Sequence, residues 1–235
     1  MRAPDGHDAL LERAISIPAA GESLQGDLAL PRGARALVVL SHGSGSSRHS
    51  PRNRDVAARM RAAGLGTLRL DLLAPAEEAL DRRTRELRFD IRLLATRLIG
   101  ALDWLTSEPT TARLRIGLFG ASTGAAAALV AAVARPDRVQ ALVSRGGRPD
   151  LAEPVLFQVR TPTLLIVGGA DPIVVTLNRL AFGVLGAPDK ELRIVPRATH
   201  RFEEPGALEE VARLGADWFA RHLRHGLLAR AKRWA

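Results

Sequence analysis

The stretch Gly120-Ala121-Ser122-Thr123-Gly124 lies between the apolar run Leu114 to Phe119 and the alanine-rich run Ala125 to Ala134. This order predicts a strand, a sharp turn and a helix. In a G-x-S-x-G turn the serine has a strained backbone, and the two glycines leave room where side chains would clash. Ser122 is therefore a candidate nucleophile beside a helix N-terminus that can stabilise an oxyanion. A surface turn is the alternative for an isolated five-residue match.

The composition is typical of one globular domain. The chain has 235 residues, 46% of them hydrophobic, which is enough for one sizeable core. We therefore interpret residues 1–235 as a single domain, with an N-terminal arm over residues 1–11 and a basic tail over residues 225–235. Because there is no cysteine, disulfides, zinc-thiolate sites and a catalytic thiol are excluded.

The net charge of +9 comes mainly from arginine. The arginines are spread along the chain without a recognisable nucleic-acid motif, so we expect no nucleic-acid partner. The first nine residues have no apolar core, and no stretch approaches the roughly 20 apolar residues of a membrane span. We expect a cytoplasmic protein, and the oligomeric state is not readable from the sequence.

Short apolar runs alternate with helical patterns along most of the chain, which predicts a mostly parallel, eight-stranded sheet with helices on both faces. An antiparallel pair, Arg13 to Pro18 and Leu24 to Leu30, is expected at one edge. Residues 74–88 are strongly charged and are predicted to form a surface loop with one helical turn. About eighteen residues separate the strand ending near Val143 from the next strand, so we expect no cap domain. The other predicted strands are 36–40, 65–70, 114–119, 139–143, 162–167 and 191–195, and the predicted helices are 51–63, 89–105, 125–134, 174–185 and 205–223.

A loop of small residues, Ser41-His42-Gly43-Ser44-Gly45-Ser46-Ser47, follows the apolar strand Ala36 to Leu40. Small residues let a backbone approach a ligand closely, so the N–H of Ser44 is a candidate oxyanion donor. A flexible glycine-serine turn is the alternative. A phosphate-binding P-loop is disfavoured because its lysine and glycine spacing are missing.

Two further polar residues follow predicted strands. Asp171, after the strand ending at Val167, could orient an imidazole or could simply cap the next helix. His200, after the last strand, could be a general base or an exposed loop residue. Together with Ser122 they appear in the order Ser, Asp, His, which is the order found in one fold family.

On these residues and the His42-Gly43 loop, the chain resembles the α/β-hydrolase superfamily, and within it the dienelactone-hydrolase-like branch, from about Ile15 to Leu223. The resemblance implies that Ser122 is the nucleophile, His200 the base and Asp171 its orienter. It also implies an oxyanion hole made by the N–H groups of Thr123 and Ser44. Dienelactone hydrolases proper have cysteine at the position of Ser122. A serine there is more similar to the esterase and acyl-hydrolase members, so the resemblance implies hydrolase chemistry rather than a dienelactone substrate.

The expected reaction is cleavage of a small-molecule ester or lactone through an acyl-enzyme, without a metal or organic cofactor. His42, Gly43, Arg48 and Arg145 are expected to contact the substrate. Our hypothesis is that one or more arginines near the site, among them Arg48, Arg52, Arg145 and Arg148, bind an anionic group on the substrate. Internal pairing with Asp150, Glu203 or Glu204 is the alternative. At the level of the whole protein, the alternative is a non-catalytic scaffold that serves as a binding or interaction module.

Overall fold

The computed structural model describes residues 10–43 and 45–224. Its centre is an eight-stranded sheet, as the alternating apolar runs predict. The third strand is buried along its whole length, as expected for a continuous apolar run inside a parallel sheet. The strands are β1 (Leu11–Ala19), β2 (Glu22–Leu30), β3 (Ala36–Ser41), β4 (Gly66–Leu70), β5 (Arg115–Ala121), β6 (Val139–Arg145), β7 (Thr163–Gly168) and β8 (Lys190–Val195).

The strands lie in the order β1-β2-β4-β3-β5-β6-β7-β8. β2 pairs antiparallel with both β1 and β4, and every other neighbouring pair is parallel. The predicted antiparallel pair at the sheet edge is confirmed. The last residue of the predicted arm, Leu11, already belongs to β1. Residues 1–9 and the whole basic tail, residues 225–235, lie outside the described residues.

The helices cover both faces of the sheet. One core cluster packs three helices, at residues 91–107 (α3), 123–134 (α4) and 172–184 (α5), against one face. A second packs two helices, at residues 51–62 (α1) and 207–224 (α6), against the other. In α4 the small alanines at 125–128 are fully buried, which lets this helix approach the sheet closely. The helices are α1 (Pro51–Ala62), α2 (Pro75–Thr84), α3 (Ile91–Ser107), α4 (Thr123–Ala134), α5 (Pro172–Val184) and α6 (Ala207–Arg224).

The helix α2 corrects the sequence prediction, which gave this segment only one helical turn. Proline at its first position fixes a helical φ, and the Glu77 carboxylate accepts the backbone N–H of Ala74 at 2.8 Å. Asp81, 1% exposed, accepts the backbone N–H and the guanidinium of Arg88 at 2.9 and 2.7 Å. The charged residues of this segment therefore cap the helix and form ion pairs, and they do not indicate a loop.

The connection between β6 and β7 contains a 3-10 helix, Pro149–Gln158. Within residues 10–43 and 45–224, no helix combines the length and the apolarity that crossing a bilayer requires. The carboxyl ends of β3 to β8 meet at one rim of the sheet, where ligands of open α/β sheets bind. The residues that follow these ends form the candidate site.

Candidate active site

Ser122 occupies a strained turn between β5 and α4. Its φ of 51° and ψ of −121° are values that few non-glycine residues adopt. The flanking glycines are sterically required. A Cβ on Gly120 would lie 2.4 Å from the Cα of Ala125, and one on Gly124 would lie 2.6 Å from the carbonyl oxygen of Ser41. The strand, turn and helix predicted by the motif are therefore present.

Asp171 and His200 come together at the neighbouring strand ends. The Oδ2 of Asp171 lies 2.8 Å from the Nδ1 of His200, and its Oδ1 accepts the backbone N–H of Val174 at 3.4 Å. One carboxylate thus serves both roles that the sequence left open, helix cap and histidine partner. Because Nδ1 faces the carboxylate, Nε2 is the ring nitrogen left for a proton transfer.

The turn after β6 lies between Ser122 and His200 and contacts both. The backbone N–H of Ser122 donates to the carbonyl of Arg145 at 3.3 Å, and the backbone carbonyl of Ser122 accepts the N–H of Arg148 at 3.2 Å. On the other side, a Cβ on Gly146 would lie 3.6 Å from the Cε1 of His200. Within the described part of the chain, the Ser122 hydroxyl and the His200 ring are not hydrogen-bonded. Such catalytic hydrogen bonds often tighten only when substrate is bound.

Of the two predicted oxyanion donors, Thr123 lies within the described residues and Ser44 does not. Thr123 is the first residue of α4, directly after the nucleophile candidate, and is 2% exposed. Ser44 lies outside the described residues. Its neighbour Gly43 lies against the elbow, since a Cβ there would be 2.6 Å from the Cβ of Ser122. Gly43, at the start of the loop after β3, therefore borders Ser122.

A cavity of about 690 Å³ opens beside this loop, which is a volume typical of small-molecule sites. His42, Gly43, Arg48 and Thr123 border it, and Leu72, Leu73, Pro75 and Leu94 give it an apolar side. The cavity therefore extends toward α2, the helix missing from the sequence prediction. Arg145 and His200 do not belong to its described lining.

Asp71, at the end of β4, is a site residue that the sequence reasoning did not identify. Its Oδ1 lies 2.7 Å from the Nε2 of His42 and accepts the backbone N–H of Arg48, also at 2.7 Å. Burial by itself would raise the pKa of Asp71, but the hydrogen bond and charge of His42 and the hydrogen bonds from Arg48 outweigh it and lower the pKa. Its position directly after a buried strand was the available signal, the same one that identified Asp171.

Most of the candidate anion-binding arginines are already paired with carboxylates. Arg48 pairs with Asp71 and Asp27, Arg52 with Glu203, and Arg148 with Asp150. Internal pairing, the alternative to substrate binding, therefore holds for these three arginines. The partners of Arg48 are not among the three carboxylates that the sequence analysis named.

Arg145 is different. Its Nε and Nη1 are buried without a hydrogen-bond partner, and no carboxylate among the described residues forms an ion pair with it. Its guanidinium lies 5.9 Å from the centre of the Phe202 ring. Burial, together with the nearby charge of Arg52, lowers the pKa of Arg145 to about 10. In residues 10–43 and 45–224, no cluster of three or more histidine, cysteine or carboxylate residues is arranged to hold a metal ion.

Comparison with solved structures identifies a similar protein with known coordinates. A dienelactone hydrolase from Anabaena variabilis is 56% identical, with a TM-score of 0.89 over 93% of this chain and 100% of that one. An esterase from an Arctic intertidal metagenomic library, 18% identical, has a TM-score of 0.74 over 94% of this chain and 97% of that one. Est1E from Butyrivibrio proteoclasticus, 15% identical, has a TM-score of 0.72 over 89% and 98% of the two chains. The last two show the shared fold.

Comparison with curated proteins finds relatives that carry a different name. Putative phosphoribosyl transferases from two Mycobacterium tuberculosis strains, H37Rv and CDC 1551, are each 53% identical over 215 residues. The match covers 91% of this chain and 47% of each relative, so the chain spans about half the length of the curated relatives it matches. No protein-family model matches the chain.

Proposed function

Since the chain belongs to the dienelactone-hydrolase-like family of the α/β-hydrolase superfamily, we propose that it is a serine hydrolase that cleaves carboxylic esters or lactones. One observation carries this proposal: the 2.8 Å contact between Asp171 and His200 lies at the same rim of the sheet as the strained Ser122. A strained serine beside an oriented imidazole is an arrangement suited to acyl transfer.

In the proposed reaction the Ser122 hydroxyl oxygen attacks the ester carbonyl carbon while its proton passes to the Nε2 of His200. Asp171 holds the Nδ1–H and stabilises the imidazolium cation. The tetrahedral intermediate collapses as His200 gives the proton to the leaving alkoxide, which leaves the acyl group on Ser122. Water then attacks the acyl-enzyme by the same proton transfers and releases the acid.

The negative charge on the carbonyl oxygen requires hydrogen-bond donors. We assign this role to the N–H groups of Thr123 and Ser44, the latter on the strength of the sequence pattern. A donor of this kind contributes roughly 3 kcal/mol to lowering the barrier. The contact of Gly43 with Ser122 supports this assignment, since it brings the loop after β3 beside the reacting oxygen.

Phosphoribosyl transfer, the reaction named for the curated relatives, needs no acyl-enzyme. It gives no role to a strained serine with a histidine and a carboxylate at the same rim. The chain also matches only 47% of those relatives. The geometry of the site therefore favours ester hydrolysis as the reaction of this chain.

The test of the proposal compares wild-type protein with Ser122→Ala, using turnover of p-nitrophenyl acetate and labelling by a fluorophosphonate probe. We expect both signals in the wild type and neither in Ser122→Ala. Ser23→Ala, which removes an exposed hydroxyl on β2, is the matched control and should retain both signals. A wild type that neither turns over esters nor reacts with the probe would overturn the proposal in favour of the non-catalytic scaffold.

For the substrate, we propose that Arg145 binds an anionic group. A buried guanidinium without a carboxylate partner is energetically unfavourable, and a bound carboxylate or phosphate would compensate its charge. In Arg145→Ala, kcat/KM should fall roughly 10- to 100-fold for a carboxylate-bearing ester and stay within threefold for a neutral ester of equal length. Arg52→Ala, which removes a guanidinium already paired with Glu203, is the control. Equal losses on both esters would remove the idea.

A further inference from the structure

A second histidine–carboxylate pair lies on the opposite side of the elbow from His200. The Nε2 of His42 is 2.7 Å from the Oδ1 of Asp71, and its Nδ1 is 3.1 Å from the carbonyl oxygen of Gly43. Both atoms that face the ring are acceptors. Neither ring nitrogen is therefore left to take a proton from Ser122, so this pair does not act as the base.

Asp71 instead joins the two ends of the loop that follows β3. Its Oδ1 contacts the His42 ring at one end and accepts the backbone N–H of Arg48 at the other, while its Oδ2 accepts the Arg48 guanidinium. The carbonyl of Arg48 is held separately, by the Nη1 of Arg69 at 3.0 Å. One carboxylate at the end of β4 thus anchors residues 42 and 48.

The other side of the same loop is pressed against the nucleophile elbow. A Cβ on Gly43 would lie 2.6 Å from the Cβ of Ser122, and one on Gly124 would lie 2.8 Å from the carbonyl oxygen of His42. The loop is therefore confined between the elbow and Asp71. The elbow thus limits the loop on one side, and the hydrogen bonds of Asp71 hold His42 and Arg48 on the other.

We propose that Asp71 is a positioning residue for the oxyanion loop, defined by its described residues 42, 43 and 45–48. It holds His42 and Arg48 so that the loop stays against Ser122. The inference rests on the proposed function, because the position of the loop affects the rate only if an oxyanion forms beside Ser122. Electrostatic stabilisation requires donors fixed in advance, and a displacement of about 1 Å can reduce the rate roughly 100-fold.

The test is Asp71→Asn, which keeps the shape of the side chain and removes its charge and one acceptor. With p-nitrophenyl acetate, kcat should fall about 10- to 100-fold while KM stays within threefold. Affinity for a trifluoromethyl ketone, which forms a tetrahedral adduct with serine, should fall in parallel. An Asp71→Asn protein that is folded and has a kcat within twofold of the wild type would overturn the proposal, as would a raised KM with unchanged kcat.

Glu77→Gln is the matched control. Glu77 is also a carboxylate that accepts one backbone N–H, from Ala74, and one guanidinium, from Arg97, but it caps α2 and does not belong to the described lining of the cavity. Its replacement should lower the melting temperature and leave kcat within twofold. Equal losses of kcat in Asp71→Asn and Glu77→Gln would mean a general loss of structure and would refute a positioning role.

A second pair of variants keeps the idea testable if Asp71→Asn does not fold. The amide nitrogen of His42→Gln can still donate to Asp71, whereas His42→Leu cannot. We expect His42→Gln to retain at least ten times the kcat of His42→Leu, and equal values would overturn the proposal.

An independent readout separates this inference from the proposed function. Backbone amides of residues 45–48 should exchange with deuterium at least tenfold faster in Asp71→Asn than in the wild type, whether or not the protein cleaves esters. Unchanged exchange would refute the anchoring role of Asp71. A wild type without serine-dependent turnover would instead refute the proposed function.

Discussion

The molecule contains two histidine–aspartate pairs at the same rim of the sheet, and their surroundings differ. In the pair His200–Asp171 the histidine side chain is 44% exposed and one ring nitrogen contacts the carboxylate. In the pair His42–Asp71 the histidine side chain is 12% exposed and both ring nitrogens face acceptors. The same two residue types therefore support different roles, because a proton carrier needs a free nitrogen and an anchor needs none.

The two aspartates divide their hydrogen bonds in a corresponding way. Asp171 joins its histidine to the first turn of α5, so it fixes the ring of His200, the proposed base, relative to a helix. Asp71 joins its histidine to a second point of the same loop, so it closes the loop on itself. The two carboxylates therefore differ in what each binds besides its histidine, a helix N-terminus for Asp171 and Arg48 for Asp71.

The largest expected effect comes from making the same substitution, histidine to glutamine, in each of the two pairs. His200→Gln should lower kcat/KM for p-nitrophenyl acetate about 10³- to 10⁴-fold, because no group remains to take the Ser122 proton. His42→Gln should lower it less than tenfold. Both variants should be checked by thermal unfolding, and comparable losses from two folded variants would break the distinction between base and anchor.

An intermediate effect on kcat is expected from a glycine substitution in the loop that begins at His42. Gly43→Ala should lower kcat about 10- to 100-fold, since its new Cβ would lie 2.6 Å from the Cβ of Ser122 and push the loop away. Gly45→Ala, where no atom lies within 4 Å of the new Cβ but φ is 68°, should instead lower the free energy of unfolding by about 1–2 kcal/mol.

Steady-state kinetics and urea unfolding of the two alanine variants measure these effects separately. If Gly43→Ala kept the kcat of the wild type, the loop would not be confined by the elbow, and the contrast between the two pairs would lose its steric basis.

The smallest expected effect is on stability and its pH dependence. The folded-state pKa of Asp71 is lowered, so its stabilising contribution is full above its unfolded-state pKa and is lost as the pH falls through the folded value. At pH 7, Asp71→Asn should be about 2 kcal/mol less stable than the wild type in urea unfolding. As the pH falls below the ordinary aspartate pKa of 3.8 and then through the lower folded-state pKa, this difference should shrink, because the wild-type carboxyl becomes protonated. A difference that stays constant with pH would show that the charge of Asp71 does not hold the loop.

The parts of the structure that local pattern controls were predictable. Apolar runs such as Ala36 to Leu40 identified the buried strands, and the glycines of the elbow identified a turn whose sterics are local to five residues. Asp171 and His200 were found because polar residues directly after parallel strands meet at one rim.

The parts missed from the sequence depend on contacts between side chains. α2 was assigned to a loop because its charged residues hide the capping by Glu77 and the ion pair between Asp81 and Arg88. Asp71 follows a strand as Asp171 does, but its partner His42 precedes it on a different strand end, so no pattern along the chain joins them. The sequence also could not predict which arginines form ion pairs. Carboxylates lie within reach of Arg48 but not, among the described residues, of Arg145, and these distances depend on the folded structure.

The sequence by itself determined which runs form the eight strands and where the sharp turn at Ser122 lies, because these depend on residues close together along the chain. Only the tertiary structure decided which histidine keeps a free nitrogen and which is held on both sides. That difference depends on acceptors contributed by separate strand ends, and their distances are fixed when the sheet assembles and its core is packed.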